Sequence, residues 1–134
     1  MSVFIDIFYT SLIKTGEELC GDMVKAFKTE DKSVVVLSDG LGSGVKANIL
    51  ATLTTQIINT MMQAEIQLED VMDTVLNTLP TCKVRKIAYA TFTIIEVNQK
   101  TYNFRVINFD NPPVFLVKNG KIQTLKQRLM RKKK

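Results

Sequence analysis

The feature that most constrains this chain is the run Ser33-Val34-Val35-Val36-Leu37-Ser38-Asp39-Gly40-Leu41-Gly42-Ser43-Gly44. Four consecutive aliphatic residues, Val34 to Leu37, read as a strand covered on both faces, and the glycines at 40, 42 and 44 end it abruptly. Asp39 is thereby delivered to a strand end, just ahead of a helical stretch. The preceding segment, Asp22-Met23-Val24-Lys25-Ala26-Phe27-Lys28, reads as a second strand, with Thr29-Glu30-Asp31-Lys32 as a polar turn of hairpin length. If Lys28 faces Ser33, antiparallel register places Asp22 opposite Asp39.

Directly opposed residues in an antiparallel pair have Cβ atoms about 5 Å apart, so two carboxylates there repel each other. Either one of them is protonated or a cation lies between them. Oxygen ligation by carboxylates and a backbone carbonyl suits Mg²⁺ or Mn²⁺, and Gly40, lacking a Cβ, offers an approachable carbonyl. Asp22, Asp39 and Gly40 are therefore the candidate metal site. The alternative is that the two aspartates simply begin and end loops, a common use of this residue.

Other chemistries are excluded by composition. The chain has no histidine, which removes Ser-His-Asp and Cys-His catalysis and histidine-ligated zinc. Cys20 and Cys82 form no CxxC pair, and they read as reduced thiols packed as small hydrophobes. No apolar run approaches the ~20 residues of a membrane span. The apolar start, Val3 to Tyr9, contains Asp6 and lacks a basic flank, so no signal peptide is expected and the reading is cytoplasmic, without a membrane partner. The formal charge of +5 is concentrated in the last nine residues, where Lys126, Arg128, Arg131, Lys132, Lys133 and Lys134 lie; without them the balance is slightly negative. With no interleaved aromatics, this reads as a solvated tail and not as a specific nucleic-acid surface. The glycines do not complete a dinucleotide fingerprint, because the third glycine of G-x-G-x-x-G falls on Val45, and no Walker lysine follows.

Val3, Ile5, Ile7 and Tyr9 alternate with Phe4, Asp6 and Phe8, the pattern of a first strand expected to pair with the hairpin. Ser11 to Gly21 is a connection in which Glu17 and Glu18 are either solvated or extra ligands. Val45 to Ala64 reads as an amphipathic helix with Ile49 or Leu50, Leu53, Ile57 and Met61 on its apolar stripe and Ser43 as its cap. Leu68 to Leu79 repeats the period and stops before Pro80. The short link 65–67 makes the two helices neighbours on one sheet face. From Ile87 the period falls to two, giving strands over Tyr89 to Val97 and Tyr102 to Phe109, then Val114 to Val117 and Ile122 around Asn119-Gly120, a strong hairpin signal. The pattern specifies an α+β fold of antiparallel β-sheets with two helices packed on a sheet.

Gly21-Asp22, Ser38-Asp39-Gly40-Leu41-Gly42-Ser43-Gly44 with its helix, Ala90-Thr91-Phe92 and Asp110-Asn111-Pro112-Pro113 together resemble the metal-dependent protein phosphatases of the PPM (type 2C) superfamily, in particular their SpoIIE-like bacterial branch. The resemblance implies a partial α-β-β-α sandwich, with residues 1–125 as the N-terminal part of the domain and 126–134 as a basic tail. It implies that Asp22, Asp39 and the Gly40 carbonyl help hold a pair of Mn²⁺ or Mg²⁺ ions. A water activated there attacks the phosphoserine or phosphothreonine ester of a phosphoprotein substrate in bacterial signalling. Leu41 stands where eukaryotic relatives have a histidine, and Asp110 belongs to a turn with a structural role.

One departure matters. Family members supply further metal-binding acids from a late strand end, whereas every charged residue after Gly120 here is basic. The chain therefore reads as truncated, and an incomplete sandwich leaves a sheet edge through which a homo-oligomer can form. Two functions stay open: a protein serine/threonine phosphatase, weakly active or inactive as this short chain, and a non-catalytic regulatory or partner-binding module that retains the fold.

Overall fold

A computed structural model of the chain describes residues 5–10, 21–40, 44–78, 81–82, 87–88, 90–123 and 125. In chain order the elements are β1 (Asp22–Lys28), β2 (Lys32–Gly40), α1 (Gly44–Gln63), α2 (Leu68–Thr78), β3 (Thr81–Cys82), β4 (Ile87–Ala88), β5 (Ala90–Asn98), β6 (Phe104–Phe109), β7 (Leu116–Lys118) and β8 (Lys121–Gln123). The first hairpin has the register expected from the length of its turn: Lys28 pairs with Ser33 and Asp22 with Asp39. Thr29 closes the turn, its hydroxyl accepting from the backbone N–H groups of Asp31 (3.3 Å) and Lys32 (3.1 Å). The main sheet is antiparallel throughout, in the order β1-β2-β5-β6.

Strand alternation divides the sheet into two faces. Val34, Val36, Phe92 and Ile94 point toward the helices and join Leu50, Ile58, Met62, Leu68, Val71 and Val75 in one buried cluster. Phe92 stacks on Phe109 across β5 and β6, with ring centroids 5.1 Å apart. Both helices thus pack on the same face, as expected. The link between them is a Schellman turn: Ile66 N–H donates to the Met61 carbonyl and Glu65 N–H to the Met62 carbonyl, with Glu65 at φ 59°. The β7–β8 hairpin turns through Asn119 (φ 54°) and Gly120 (φ 76°), the left-handed pair that a two-residue loop requires.

Two expectations are corrected. The helical stripe was expected on Ile49 or Leu50, Leu53, Ile57 and Met61. Leu50 is buried and Ile57 and Met61 pack partly buried against the core, but α1 also buries Ala47, Ala51, Thr54, Thr55, Ile58 and Met62 and leaves Ile49 57% and Leu53 40% exposed. The cause lies at Gly40, where a Cβ would sit 1.9 Å from the Ala47 carbonyl oxygen. That approach brings Ala47 down onto the sheet, and the positions three and four residues further along follow it. Thr54 and Thr55 are tolerated there because their hydroxyls donate to the carbonyls of Leu50 (2.7 Å) and Ala51 (3.0 Å).

The second correction concerns the N-terminal strand, of which the described residues, 5–10, are irregular. They lie over the sheet face opposite the helices, where Ile7, Phe8 and Tyr9 line a cavity of about 610 Å³ with Val35, Leu37 and Ile95. Lying across a face instead of along an edge, this backbone has no ladder to join. Ser43, Glu17, Glu18 and Cys20 lie outside the described residues. Among the described residues, no helix is long and apolar enough to cross a membrane.

Because the obstacle at Gly40 is helix backbone, Gly40→Ala is expected to cost about 3 kcal/mol. Urea unfolding of the variant beside the wild type measures this.

Candidate metal centre

The register of β1 on β2 sets Asp22 against Asp39, and the register of β2 on β5 sets Thr91 on the other side of Asp39. The three residues form a row across one end of the sheet, on the face away from the helices. Gly40 follows at the tip of β2, where its N–H donates to the Gly21 carbonyl at 2.9 Å and extends the ladder past the acids. Every element of the candidate site is therefore placed by strand pairing, with the Gly40–Ala47 contact limiting how far the strand end can shift.

The electrostatics follow from this geometry. Burial, then a hydrogen bond from Asp22, then the Asp22 charge, push the Asp39 carboxyl up to about 6. A proton held between two facing carboxylates is what repulsion at this distance demands in the absence of a cation. The same arrangement suits a divalent ion, which would replace the proton and which the oxygens of both acids would hold. Among the described residues no group of three or more His, Cys, Asp or Glu side chains converges. Among the described residues, the donors at this strand end are two carboxylates and the neighbouring backbone. Asp110 does not complete a triad with them; it bends the chain at φ 57° immediately after β6.

Two residues beside the acids were not singled out as part of the site from the sequence. Thr91 is 7% exposed, and its hydroxyl lies 3.5 Å from the Asp39 carbonyl oxygen and hydrogen-bonds the Asn111 side chain. Both belong to motifs that the sequence displays, but their adjacency to Asp39 depends on the β2–β5 register, which no local pattern specifies.

The model of the family described as Stage II sporulation protein E (SpoIIE) matches residues 29–130. The chain belongs to the SpoIIE family. Its fold is similar to that of the PP2C phosphatase domain of SpoIIE from Bacillus subtilis, with a TM-score of 0.74 and 17% identity over 83% of this chain and 33% of that one. It is also similar to RsbX in complex with magnesium (TM-score 0.58, 22% identity, 71% of this chain and 44% of that one). A structure of RsbU and RsbW domains from Mycobacterium tuberculosis is a third neighbour (TM-score 0.63, 17% identity, 78% and 29%). No curated protein sequence matches the chain significantly. This SpoIIE-family chain spans about a third of the first of these structures and less than half of each of the others. Membership of the SpoIIE family and the α+β architecture agree with the reading of the sequence.

A raised Asp39 gives a signed pH dependence. The unfolded carboxyl titrates near 3.8 and the folded one near 6, so between those values the folded state holds the proton that the unfolded state has lost. Without metal, stability is therefore expected to fall as pH rises from about 4 to 6. Asp39→Asn should lack that component and be more stable than wild type at pH 7 by on the order of 0.5 kcal/mol, as for a partly exposed like-charge pair. Urea midpoints from pH 4 to 7 for both proteins check this.

Proposed function

We propose that this chain is part of a divalent-metal-dependent protein serine/threonine phosphatase domain, acting on phosphoserine or phosphothreonine in a bacterial phosphoprotein. The observation that carries the reading is the in-register pair Asp22–Asp39 at a sheet end in a SpoIIE-family fold. Asp22, Asp39 and the Gly40 carbonyl are the residues that would hold Mn²⁺ or Mg²⁺. When bound, such ions supply charge compensation at the phosphoryl oxygens and an acidified water for in-line attack.

The chain's own contribution is positional and acid–base. Asp39 gives up its proton when the pair is loaded and takes it back when the pair is empty, so loading is opposed by protons below about pH 6. Strand pairing sets the two carboxylates opposite each other. This stretch contains no histidine, so it supplies no imidazole of its own as leaving-group acid. A cytoplasmic location and a homo-oligomeric state belong to the same proposal.

A second reading is favoured by the ligand count. Two converging acids among the described residues leave most of an octahedral shell to water, which predicts weak affinity. A module that keeps the fold and binds a partner without turnover fits that count equally well.

The deciding measurement is Mn²⁺-dependent hydrolysis of an aryl phosphate by this chain, beside Asp22→Asn and Asp39→Asn. The phosphatase reading expects turnover that requires metal and is lost in both variants, together with Mn²⁺ affinity weakened at least about tenfold by either substitution. Retained fold with no turnover favours instead either an incomplete phosphatase domain or the regulatory module.

A further inference from the structure

Behind the acid row lies a closed circuit of polar side chains whose donors and acceptors all match. The single Thr91 hydroxyl proton goes to Asn111 Oδ1, because the alternative acceptor, the Asp39 carbonyl oxygen at 3.5 Å, is at the outer limit of a hydrogen bond. Asn111 Nδ2 donates to Thr93 Oγ1 (2.8 Å), and Thr93 donates to Asn108 Oδ1 (2.7 Å). Asn108 Nδ2 returns to the turn, donating to the carbonyls of Asn111 (3.0 Å) and Pro112 (3.2 Å). Thr91 and Thr93 are buried and Asn111 is half-buried, so a rotamer change in any of them strands a polar atom, while Asn108 completes the circuit from an exposed position.

The circuit ends on the strand position directly opposite Asp39. That position is also gripped from the helix side, where the fully buried Ser38 hydroxyl donates to the Thr91 carbonyl at 2.7 Å. Thr91 is thus fixed on both faces of the sheet, at the residue beside Asp39. A network serving only to join β5 to β6 would need Thr93 and Asn108, which are direct cross-strand partners. It would not need Asn111 to reach over to Thr91.

We propose that Thr91 and Asn111 are positioning residues for the acid pair: the turn at 110–113 latches the end of β5 and so holds Asp39 in register with Asp22. The inference rests on the reading of Asp22 and Asp39 as metal ligands and deepens it. It assigns to the Asn-Pro-Pro turn the task of keeping two mutually repelling carboxylates at a spacing that a cation can bridge. Thr91 and Asn111 act through Asp39 and need not touch metal or substrate.

Two readouts test it on Thr91→Val, Thr91→Ser, Asn111→Ala and, as a distant control, Arg105→Ala, which removes the Arg105–Glu96 pair (2.9 Å) on β6 and β5. The first is hydrogen exchange, without metal, of the Gly40 N–H that caps the acid end of the β1–β2 hairpin, against the Asn98 N–H that donates to Asn103 at 2.8 Å in the β5–β6 turn at the opposite end of the sheet. Thr91→Val and Asn111→Ala are expected to speed exchange at Gly40 about fivefold while leaving Asn98 unchanged. Thr91→Ser should behave as wild type, and Arg105→Ala should leave Gly40 unaffected. The second is Mn²⁺ affinity by calorimetry, expected to fall about tenfold in Thr91→Val and to be restored in Thr91→Ser. Unchanged exchange at Gly40, or equal acceleration at Gly40 and Asn98, overturns the latch. Mn²⁺ binding that Thr91→Val leaves unaltered, while Asp39→Asn abolishes it, overturns the latch alone. Mn²⁺ binding as tight in Asp39→Asn as in wild type overturns the metal reading instead, and Gly40 exchange still decides the latch.

Discussion

A glycine pressed against a helix carbonyl sets the geometry of this molecule. At Gly40 the tip of β2 comes so near Ala47 that no side chain fits between them, and the contact is backbone on both sides. Neither partner can yield by rotating a side chain, so strand end and helix are fixed relative to each other. The helix face follows from this. With Ala47 at the contact, Ala51, Thr54 and Thr55 come to lie against the sheet, and their small size lets α1 sit close over β1 and β2. The acid site follows as well, because Asp39 is the residue immediately before the immobilised one.

That placement sets local electrostatics against stability. Two aspartates in direct register are a poor choice for a strand end that serves only to fold, since like charges opposed on neighbouring strands destabilise the pair. The rest of the sheet behaves differently: Glu96, facing Arg105 across β5 and β6 and lying 3.7 Å from Lys32, shows the matched charges expected of a structural pair. An unmatched pair set in an otherwise consistent fold is where a functional demand is to be sought. The direction of the Asp39 shift agrees, because burial and Asp22 together make the doubly charged state unfavourable until something positive neutralises it.

How much of this was legible in the sequence follows from the range of each interaction. The β1–β2 register was readable because a four-residue polar turn joins two adjacent strands, and it placed Asp22 opposite Asp39 without knowledge of the rest of the chain. The Asn119-Gly120 hairpin was readable for the same local reason. The buried stripe of α1 is legible in part: Leu50, Ile57 and Met61 lie on the core side, whereas Leu53 is exposed, because close packing against Gly40 selects alanine and threonine where hydropathy favours large aliphatics. The partners of Asp39 on its other side were not readable at all. Thr91 is 52 residues away in sequence from Asp39, and only the β2–β5 pairing brings it alongside.

The two faces of the sheet differ in a way that bears on the site. The helix face is closed by a continuous apolar cluster. The opposite face is also apolar, with Val24, Val35, Leu37 and Ile95, yet Leu37 remains 41% exposed beside a cavity walled by residues 7–10 and 111–114. A strand apolar on both faces is built to be covered on both. The acid row lies at the end of that less filled face, two residues beyond Leu37 on one strand and two before Val24 on the other. Asp39 therefore borders low-dielectric surface on one side while staying open on the other. The first condition raises the cost of its bare charge, and the second leaves a path for an ion to relieve it.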